Sequence, residues 1–269
     1  GYISHSTGFK AISTNLGANA TVYAGLPMDP SIYFANPEEA ENFEVGFKKT
    51  FSNGYLNMSI FHMAVEGYQS NLFIGTGFNL VNIGEQTNKG VEIDSLFFLS
   101  ENFVLTFAAS YIDSTYNDFK NGPCDRTFVP PASDDCPIVN GGPARVKDFT
   151  GRTPSGVPEL AVTVSGTYTF NLTENMTGYI RGEYVYEDEY QATDAVPVEV
   201  PGAIRKVGTL NASLGVKDSA SGFSLMLWGR NINDDEFIYT GFNVPGSPGS
   251  YAGYPVVPKM WGLTLSREF

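Results

Sequence analysis

The chain has 269 residues, of which 42% are hydrophobic, 14% aromatic and only 17% charged, and its net charge is −13. That acidity excludes a nucleic-acid-binding role, which needs a basic stripe. No run of about 18 apolar residues is present, so a transmembrane helix is excluded as well. Two classes remain: a soluble all-β sandwich or lectin, and a membrane β-barrel, in which only alternate residues face lipid and aromatics gather at the interfaces.

Period-2 alternation runs along the chain and predicts ten strands. They fall at about 1–10, 42–52, 54–65, 86–99, 102–118, 158–171, 174–189, 203–217, 221–232 and 257–269. The first begins at Gly1 without an initiator Met, so the chain is expected to be mature or cut from a longer one. Between 102 and 118, Phe103, Leu105, Phe107, Ala109 and Tyr111 alternate with Val104, Thr106, Ala108 and Ser110. Leu160, Val162, Val164, Gly166, Tyr168 and Phe170 alternate with small and polar residues in the same way. In the next strand Met176, Ile180, Tyr184 and Tyr186 oppose Thr177, Arg181, Glu183 and Glu187.

The links carry more information than the strands. Ser52-Asn53-Gly54, Ser100-Glu101-Asn102, Thr173-Glu174-Asn175 and Asp218 to Gly222 are short turns. The links at 11–41, 66–85, 119–156, 190–203 and 233–256 are long. Short and long alternate strictly, as in outer-membrane barrels with short periplasmic turns and long extracellular loops. The fold class expected is therefore all-β, an antiparallel up-and-down transmembrane barrel. The even strand count puts both chain ends at the short-turn edge and the long loops outside.

Cys124 and Cys136 lie in one Pro/Gly/Asp-rich loop, which fits a disulfide in an oxidising compartment. Two Cys without a nearby His make a poor zinc site, so no metal and no other cofactor is expected. The acids cluster at strand ends: Glu38, Glu39 and Glu41, then Asp134 and Asp135, then Glu187, Asp188 and Glu189, then Asp234, Asp235 and Glu236. They read as solvated loops, or as a rim that draws cations. His5 and His62 are on separate strands and suit an interface better than catalysis. Glu92, Asp94 and Glu183 are expected to face a polar lumen. Tyr184, Tyr186 and Tyr190 are candidates for an aromatic girdle, and no catalytic constellation is evident. In the last long loop, Phe237, Tyr239, Phe242, Tyr251 and Tyr254 stand among Gly and Pro. Such aromatics on a concave rim can stack on a small ligand, or can pack the loop on itself.

The final strand places Trp261, Leu263, Leu265, Arg267 and Phe269 on one face, which should point to lipid, with Arg267 snorkelling to the interface. Its ending resembles the terminal strand of bacterial outer-membrane proteins, where a last Phe is a signal to the β-barrel assembly machinery. Other stretches resemble TonB-dependent outer-membrane receptors, in the expected order. They are Ser6-Thr7-Gly8-Phe9-Lys10-Ala11, Pro37-Glu38-Glu39 through Asn42-Phe43-Glu44-Val45-Gly46-Phe47-Lys48, and Asn88-Lys89-Gly90-Val91-Glu92-Ile93. Phe107 to Asp113 with Tyr116, Gly151-Arg152-Thr153-Pro154 to Pro158, and Leu227-Trp228-Gly229-Arg230-Asn231-Ile232-Asn233-Asp234 continue it.

That resemblance implies a 22-stranded barrel around an N-terminal plug, of which 1–269 is the C-terminal barrel segment without the plug. It implies TonB-energised uptake of a ligand such as a ferric siderophore, and no enzymatic activity. The partners implied are outer-membrane lipid and lipopolysaccharide, the TonB complex through an N-terminal region, the assembly machinery and a small-molecule ligand. It also places the protein in the outer membrane of a Gram-negative bacterium, with the C-terminus periplasmic. Alternatives from other classes are a self-contained ten-stranded pore or omptin-like protease, and a soluble lectin or adhesin. A closed ten-stranded barrel would pair the first strand with the last; a fragment would leave both as open edges.

Overall fold

The computed structural model describes residues 1–14, 33–74, 77–120, 122–123, 146–194, 196–244, 247 and 249–268. In chain order the strands are β1 (Tyr2–Lys10), β2 (Ser13–Thr14), β3 (Phe34–Ala35), β4 (Glu38–Phe51), β5 (Gly54–Glu66) and β6 (Gln69–Ile74). They continue with β7 (Gly77–Asn82), β8 (Glu85–Ser100), β9 (Phe103–Asp118), β10 (Gly122–Pro123), β11 (Val146–Lys147) and β12 (Leu160–Asn171). The last six are β13 (Met176–Gln191), β14 (Ile204–Asp218), β15 (Phe223–Arg230), β16 (Ile238–Asn243), β17 (Tyr251–Pro255) and β18 (Met260–Arg267).

Ten of these form one antiparallel sheet in the order β1-β4-β5-β8-β9-β12-β13-β14-β15-β18. They are the ten strands predicted, with small shifts. β4 starts at Glu38 rather than near 42, because β1 runs on to Lys10, which pairs with Glu38 directly after Pro37. β18 starts at Met260 rather than 257, because Pro258 has no N–H to donate to a ladder. Four of the five long links carry small two-stranded ladders, β2–β3, β6–β7, β10–β11 and β16–β17, that the sequence did not announce. The edge strands β1 and β18 do not pair with each other, so the sheet is not closed.

The register reveals the strand tilt. One continuous ladder row runs Phe51, Gly54, Phe97, Leu105, Gly166, Gly182, Ala212, Gly229, Trp261. It starts at the β4–β5 turn, on the short-turn edge, and ends one residue into β18, on the loop edge. The strands therefore stagger by about one residue each. With a rise of ~3.4 Å per residue and ~4.8 Å between strands, that stagger is a tilt of about 35°. This lies at the lower end of the range found in membrane barrels.

The two faces differ completely. The row Ile3, Val45, Ile60, Val91, Tyr111, Leu160 is apolar throughout. The row beside it reads Gly46, Ser59, Glu92, Ser110, Ala161, Glu187. Among the described residues nothing covers the apolar face: Ile3, Phe43, Val45, Ile60, Ile180, Leu214, Leu227 and Leu263 are all exposed. On β9 the apolar stripe runs from Phe103 to Tyr111, about 22 Å along the barrel axis after tilt. That matches the roughly 25 Å lipid-facing band of a membrane barrel. A soluble sandwich would have buried this face against a second sheet. Fully buried apolar side chains gather instead at the loop edge, where Ile83, Tyr116, Phe119 and Phe149 pack together with Tyr68 against them.

The turns are tied by side chains. In the β14–β15 turn, Asp218 accepts hydrogen bonds from the Ala220 N–H (3.0 Å) and the Ser221 hydroxyl (2.6 Å). Gly222 closes that turn at φ +73°, and a Cβ there would lie 2.5 Å from the Glu268 carbonyl oxygen. Gly222→Ala is expected to cost roughly 2 kcal/mol through left-handed strain and this clash. The loss should appear as a lower urea midpoint for the folded barrel in vesicles.

Candidate functional site

The polar face is the concave one. A cavity of about 600 Å³ is lined from Tyr2 on β1 across to Glu187 on β13, which requires the sheet to curl around it. Its charged lining residues are four carboxylates, Glu44, Glu92, Asp94 and Glu187, and one cation, Lys48. Period 2 places them there, because each shares the parity of the small polar residues of its strand. Asp94 accepts from the Asn57 amide at 3.0 Å, and Glu44 accepts from the Tyr2 hydroxyl. Glu183 holds Arg181 at 2.7 Å and the Asn211 amide at 3.2 Å. The lumen positions expected for Glu92, Asp94 and Glu183 are those observed.

At the loop edge of this wall sits Arg205, the second residue of β14. Its guanidinium donates to Glu187 at 2.9 Å and stacks on three rings, Tyr190 (5.3 Å), Phe237 (5.0 Å) and Tyr239 (4.9 Å). Tyr190 donates its hydroxyl to the same Glu187 at 2.5 Å. A register shift between Glu187 and Tyr190 makes the arrangement possible. The bulge turns Tyr190 inward, so it is not a girdle residue, whereas Tyr184 and Tyr186 stay on the apolar face. The Arg205 Nε is buried without a hydrogen-bond partner.

The five aromatics expected to form one ligand surface divide into three groups. Phe237 and Tyr239 grip Arg205 and so anchor the β16–β17 hairpin to the wall. Tyr251 faces the 192–203 link across a cavity of about 150 Å³, lined also by Thr193, Val196, Val200 and Ile238. Phe242 and Tyr254 lie side by side on the opposite face of the hairpin, with ring centroids 5.8 Å apart. Tyr254 and Phe242 are 61% and 38% exposed and form the open surface of the hairpin, while Tyr239, 60% exposed, keeps one side of its ring in solvent beside Arg205.

Behind the hairpin, the segment after β15 substitutes side chains for a strand. β14 extends beyond the end of β15, and its free edge is met by Asn233. That amide accepts from the Leu210 N–H (2.8 Å) and donates to the Gly208 carbonyl (2.7 Å). Asp235 takes the Gly208 N–H at 2.7 Å. Asn231, buried and at φ +49°, accepts from the Asp235 N–H (2.7 Å) and donates to the Asp235 and Val257 carbonyls. Four acids at this rim have partners: Asp234 pairs with Lys259, Asp235 with the Gly208 N–H, Glu187 with Arg205 and Glu189 with Lys206. In the 190–203 link, Asp194 is mostly buried beside Ser155 and Arg152, and burial pushes its carboxyl above the usual range.

His5 stacks on Phe43 at 4.4 Å on the apolar face, and His62 pairs with Phe43 in the ladder, so both are surface histidines of the outer wall. Trp261, Leu263 and Leu265 are exposed on that face at the β18 edge, as expected. Phe269, Cys124, Cys136, Asp134 and Asp135 lie outside the described residues. Among the described residues, no helix is long and apolar enough to cross a membrane, and no cluster of His, Cys, Asp and Glu is arranged to hold a metal.

Similar proteins fit this geometry. The family model described as TonB dependent receptor-like, beta-barrel matches residues 2–232. No curated protein sequence matches the chain. Among solved structures, the ferric yersiniabactin uptake receptor FyuA from Yersinia pestis aligns with a TM-score of 0.68 at 14% identity, covering 99% of this chain and 34% of that one. The siderophore receptor PiuA from Acinetobacter baumannii aligns at 0.61 and 16% identity, covering 98% and 32%. BauA, the ferric preacinetobactin receptor of the same organism, aligns at 0.58 and 14% identity, covering 98% and 34%. At these identities the likeness shows the fold, and the chain spans about a third of the length of each. The match over 2–232 and the open, tilted ten-stranded sheet place the chain in the TonB-dependent receptor-like β-barrel family, whose members reside in the outer membrane of Gram-negative bacteria.

Proposed function

We propose that the chain is the C-terminal barrel segment of a larger receptor that takes up a scarce ligand of the ferric siderophore kind, energised through TonB. The family match over 2–232 carries this reading. The unpaired edges of β1 and β18 support a segment rather than a self-contained ten-stranded barrel, and the coverage of about a third of each solved receptor supports the same. The solved relatives named above are receptors for ferric yersiniabactin and ferric preacinetobactin and a siderophore receptor, which supports an iron-chelate ligand. In this reading the long links are extracellular, the short turns and the C-terminus are periplasmic, and a plug and a TonB-contacting region belong to the rest of the receptor. The protein is a transporter rather than an enzyme. Cys124 and Cys136 form a disulfide that closes an extracellular loop. The terminal strand with Trp261, Leu263, Leu265 and Phe269 addresses the assembly machinery.

Within the segment, the ligand contact falls to the exposed rings of Tyr239, Phe242 and Tyr254, on a hairpin moored by Arg205. Tyr254→Ala is expected to leave folding unchanged and to weaken ligand binding about fivefold, the value of one lost aromatic stack. The test of the reading is growth under iron limitation. The full-length receptor, in a Gram-negative host stripped of its own siderophore receptors, should restore growth on at least one ferric catecholate, hydroxamate or phenolate, and only with TonB present. Failure on all three classes, with receptor verified in the outer membrane, would contradict it.

A further inference from the structure

Charge is divided unevenly between the two edges of the sheet. The five long links carry 15 acidic and five basic residues, so they hold −10 of the net charge of −13. All five bases lie in the third link, and the other four links have none. At the short-turn edge, Lys48, Lys49, Lys217 and Arg267 offset Glu101, Glu174, Asp218 and Glu268. The acidity is therefore a property of the loop side.

Pairing does not remove it. The register sets Glu39 opposite Glu66, Glu66 opposite Glu85 and Glu85 opposite Asp118, one ladder row of four acids across β4, β5, β8 and β9. Like charges in directly opposed positions weaken a ladder. Asp118 has Lys120 and Glu85 has the Asn117 amide, but Glu39 and Glu66 are exposed without an ion pair or a side-chain hydrogen bond. Glu199 in the fourth link and Glu236 just ahead of β16 are exposed and unpaired in the same way. The sign continues into the lumen. Arg181 and Arg205 neutralise Glu183 and Glu187. Glu44, Glu92 and Asp94 have no ion pair among the described residues, and the cation that lines their cavity is Lys48.

Unpaired acids of one sign act at a distance. A mouth of single-sign charge raises the capture rate of an oppositely charged solute by about 10–1000-fold at low ionic strength. The reach is about 8 Å at physiological salt, so the carboxylates need not touch the ligand. The contact itself has a precedent in the same wall. Arg205, a cation, is held by the rings of Tyr190, Phe237 and Tyr239 and by Glu187. The open rings of Phe242 and Tyr254 present the same aromatic faces to a solute cation.

Ferric chelates differ in sign through their donor groups. Three hydroxamates, each a monoanion, leave a neutral Fe(III) complex, and a pendant ammonium makes it a cation. Three catecholates, each a dianion, leave a trianion. We propose that the ligand is a ferric hydroxamate without net negative charge, favoured further when it bears a free ammonium group, and that the acidic loop face turns away trianionic ferric catecholates. The inference rests on the uptake reading and names the ligand class within it.

Two chelates separate charge from shape: a linear ferric trihydroxamate with a free terminal amine, and the same chelate with that amine succinylated, which turns the cation into an anion. Each is titrated into the full-length receptor in detergent and followed by tryptophan fluorescence. The ammonium form should bind about tenfold tighter at low salt, and the gap should close to within about twofold at high salt. The combined variant Glu39→Gln, Glu66→Gln, Glu199→Gln, Glu236→Gln changes only exposed side chains and should narrow the low-salt gap without loss of folded receptor. Equal binding of the two forms, tighter binding of the succinylated form, a gap that ignores salt, or an undiminished gap in the folded variant overturns the proposal. If the variant does not fold, the wild-type salt series decides. Under iron limitation, growth on a ferric catecholate but on no hydroxamate overturns the charge inference and leaves the uptake reading standing. Growth on no chelate overturns both.

Discussion

Leu214→Arg is expected to destabilise the receptor in a bilayer by about 2–4 kcal/mol, the cost of a guanidinium on the lipid face near the midplane. Leu214 is 48% exposed in the middle of the apolar stripe of β14. In a water-soluble sheet an exposed Leu→Arg change would fall within about 0.5 kcal/mol of neutral. The size of the effect therefore reports the solvent on that face. Thr209→Arg on the same strand is the control. Thr209 shares the inward parity of Asn211, and the neighbouring strand offers Glu183 and Glu187 on that face. Its cost should stay below about 1 kcal/mol. Folding free energies of both variants in the same vesicles check the pair. Equal, small costs would mean that water, not lipid, covers Leu214.

Asn231→Ala should be the most damaging single change outside the apolar band, at about 3–5 kcal/mol. The substitution removes the acceptor for the Asp235 N–H and the donor to two carbonyls. Each buried group left without a partner costs about 1–3 kcal/mol. Alanine is also strained at a positive φ, by about 1 kcal/mol. Asn231→Gly relieves the strain but not the hydrogen bonds, and should recover only that part. Asn231→Asp keeps the acceptor and presents a charge to the Val257 carbonyl, so it should rescue little. A denaturant series on the three variants would check this order. Near-wild-type stability of Asn231→Ala would show that the segment after β15 is held by something else.

The sheet was largely legible from sequence for a simple reason. A lipid-facing strand writes its environment in every second residue, and ten strands repeat the message, so Phe103 to Tyr111 and Leu160 to Phe170 could be read directly. The loops carry no such repetition. β16–β17 pairs two short segments of Tyr, Gly and Pro, and its faces are decided by contacts with the 192–203 link and with Arg205. Arg205 escaped notice because its importance depends on the bulge after Glu187, which changes which residues of β13 it meets. The only hint was an inward-parity arginine next to an acidic strand end. Asn231 and Asn233 were visible as part of a resemblance, but their task depends on how far β14 overhangs β15, and that is a property of the paired sheet. The aromatic loop residues show the same limit: one composition serves two rings for anchoring, one for packing and two for an open surface.

The central claim is that the apolar face lies in lipid, with the long links on the outer side. Single cysteines in the full-length receptor, on a background with Cys124 and Cys136 replaced by serine, test it most directly in intact cells. A membrane-impermeant maleimide should label Tyr254→Cys from outside, label Ala220→Cys only after the outer membrane is permeabilised, and leave Leu225→Cys on the apolar face unlabelled in both conditions. Labelling of Ala220→Cys from outside, or ready labelling of Leu225→Cys in the folded receptor, would contradict the account.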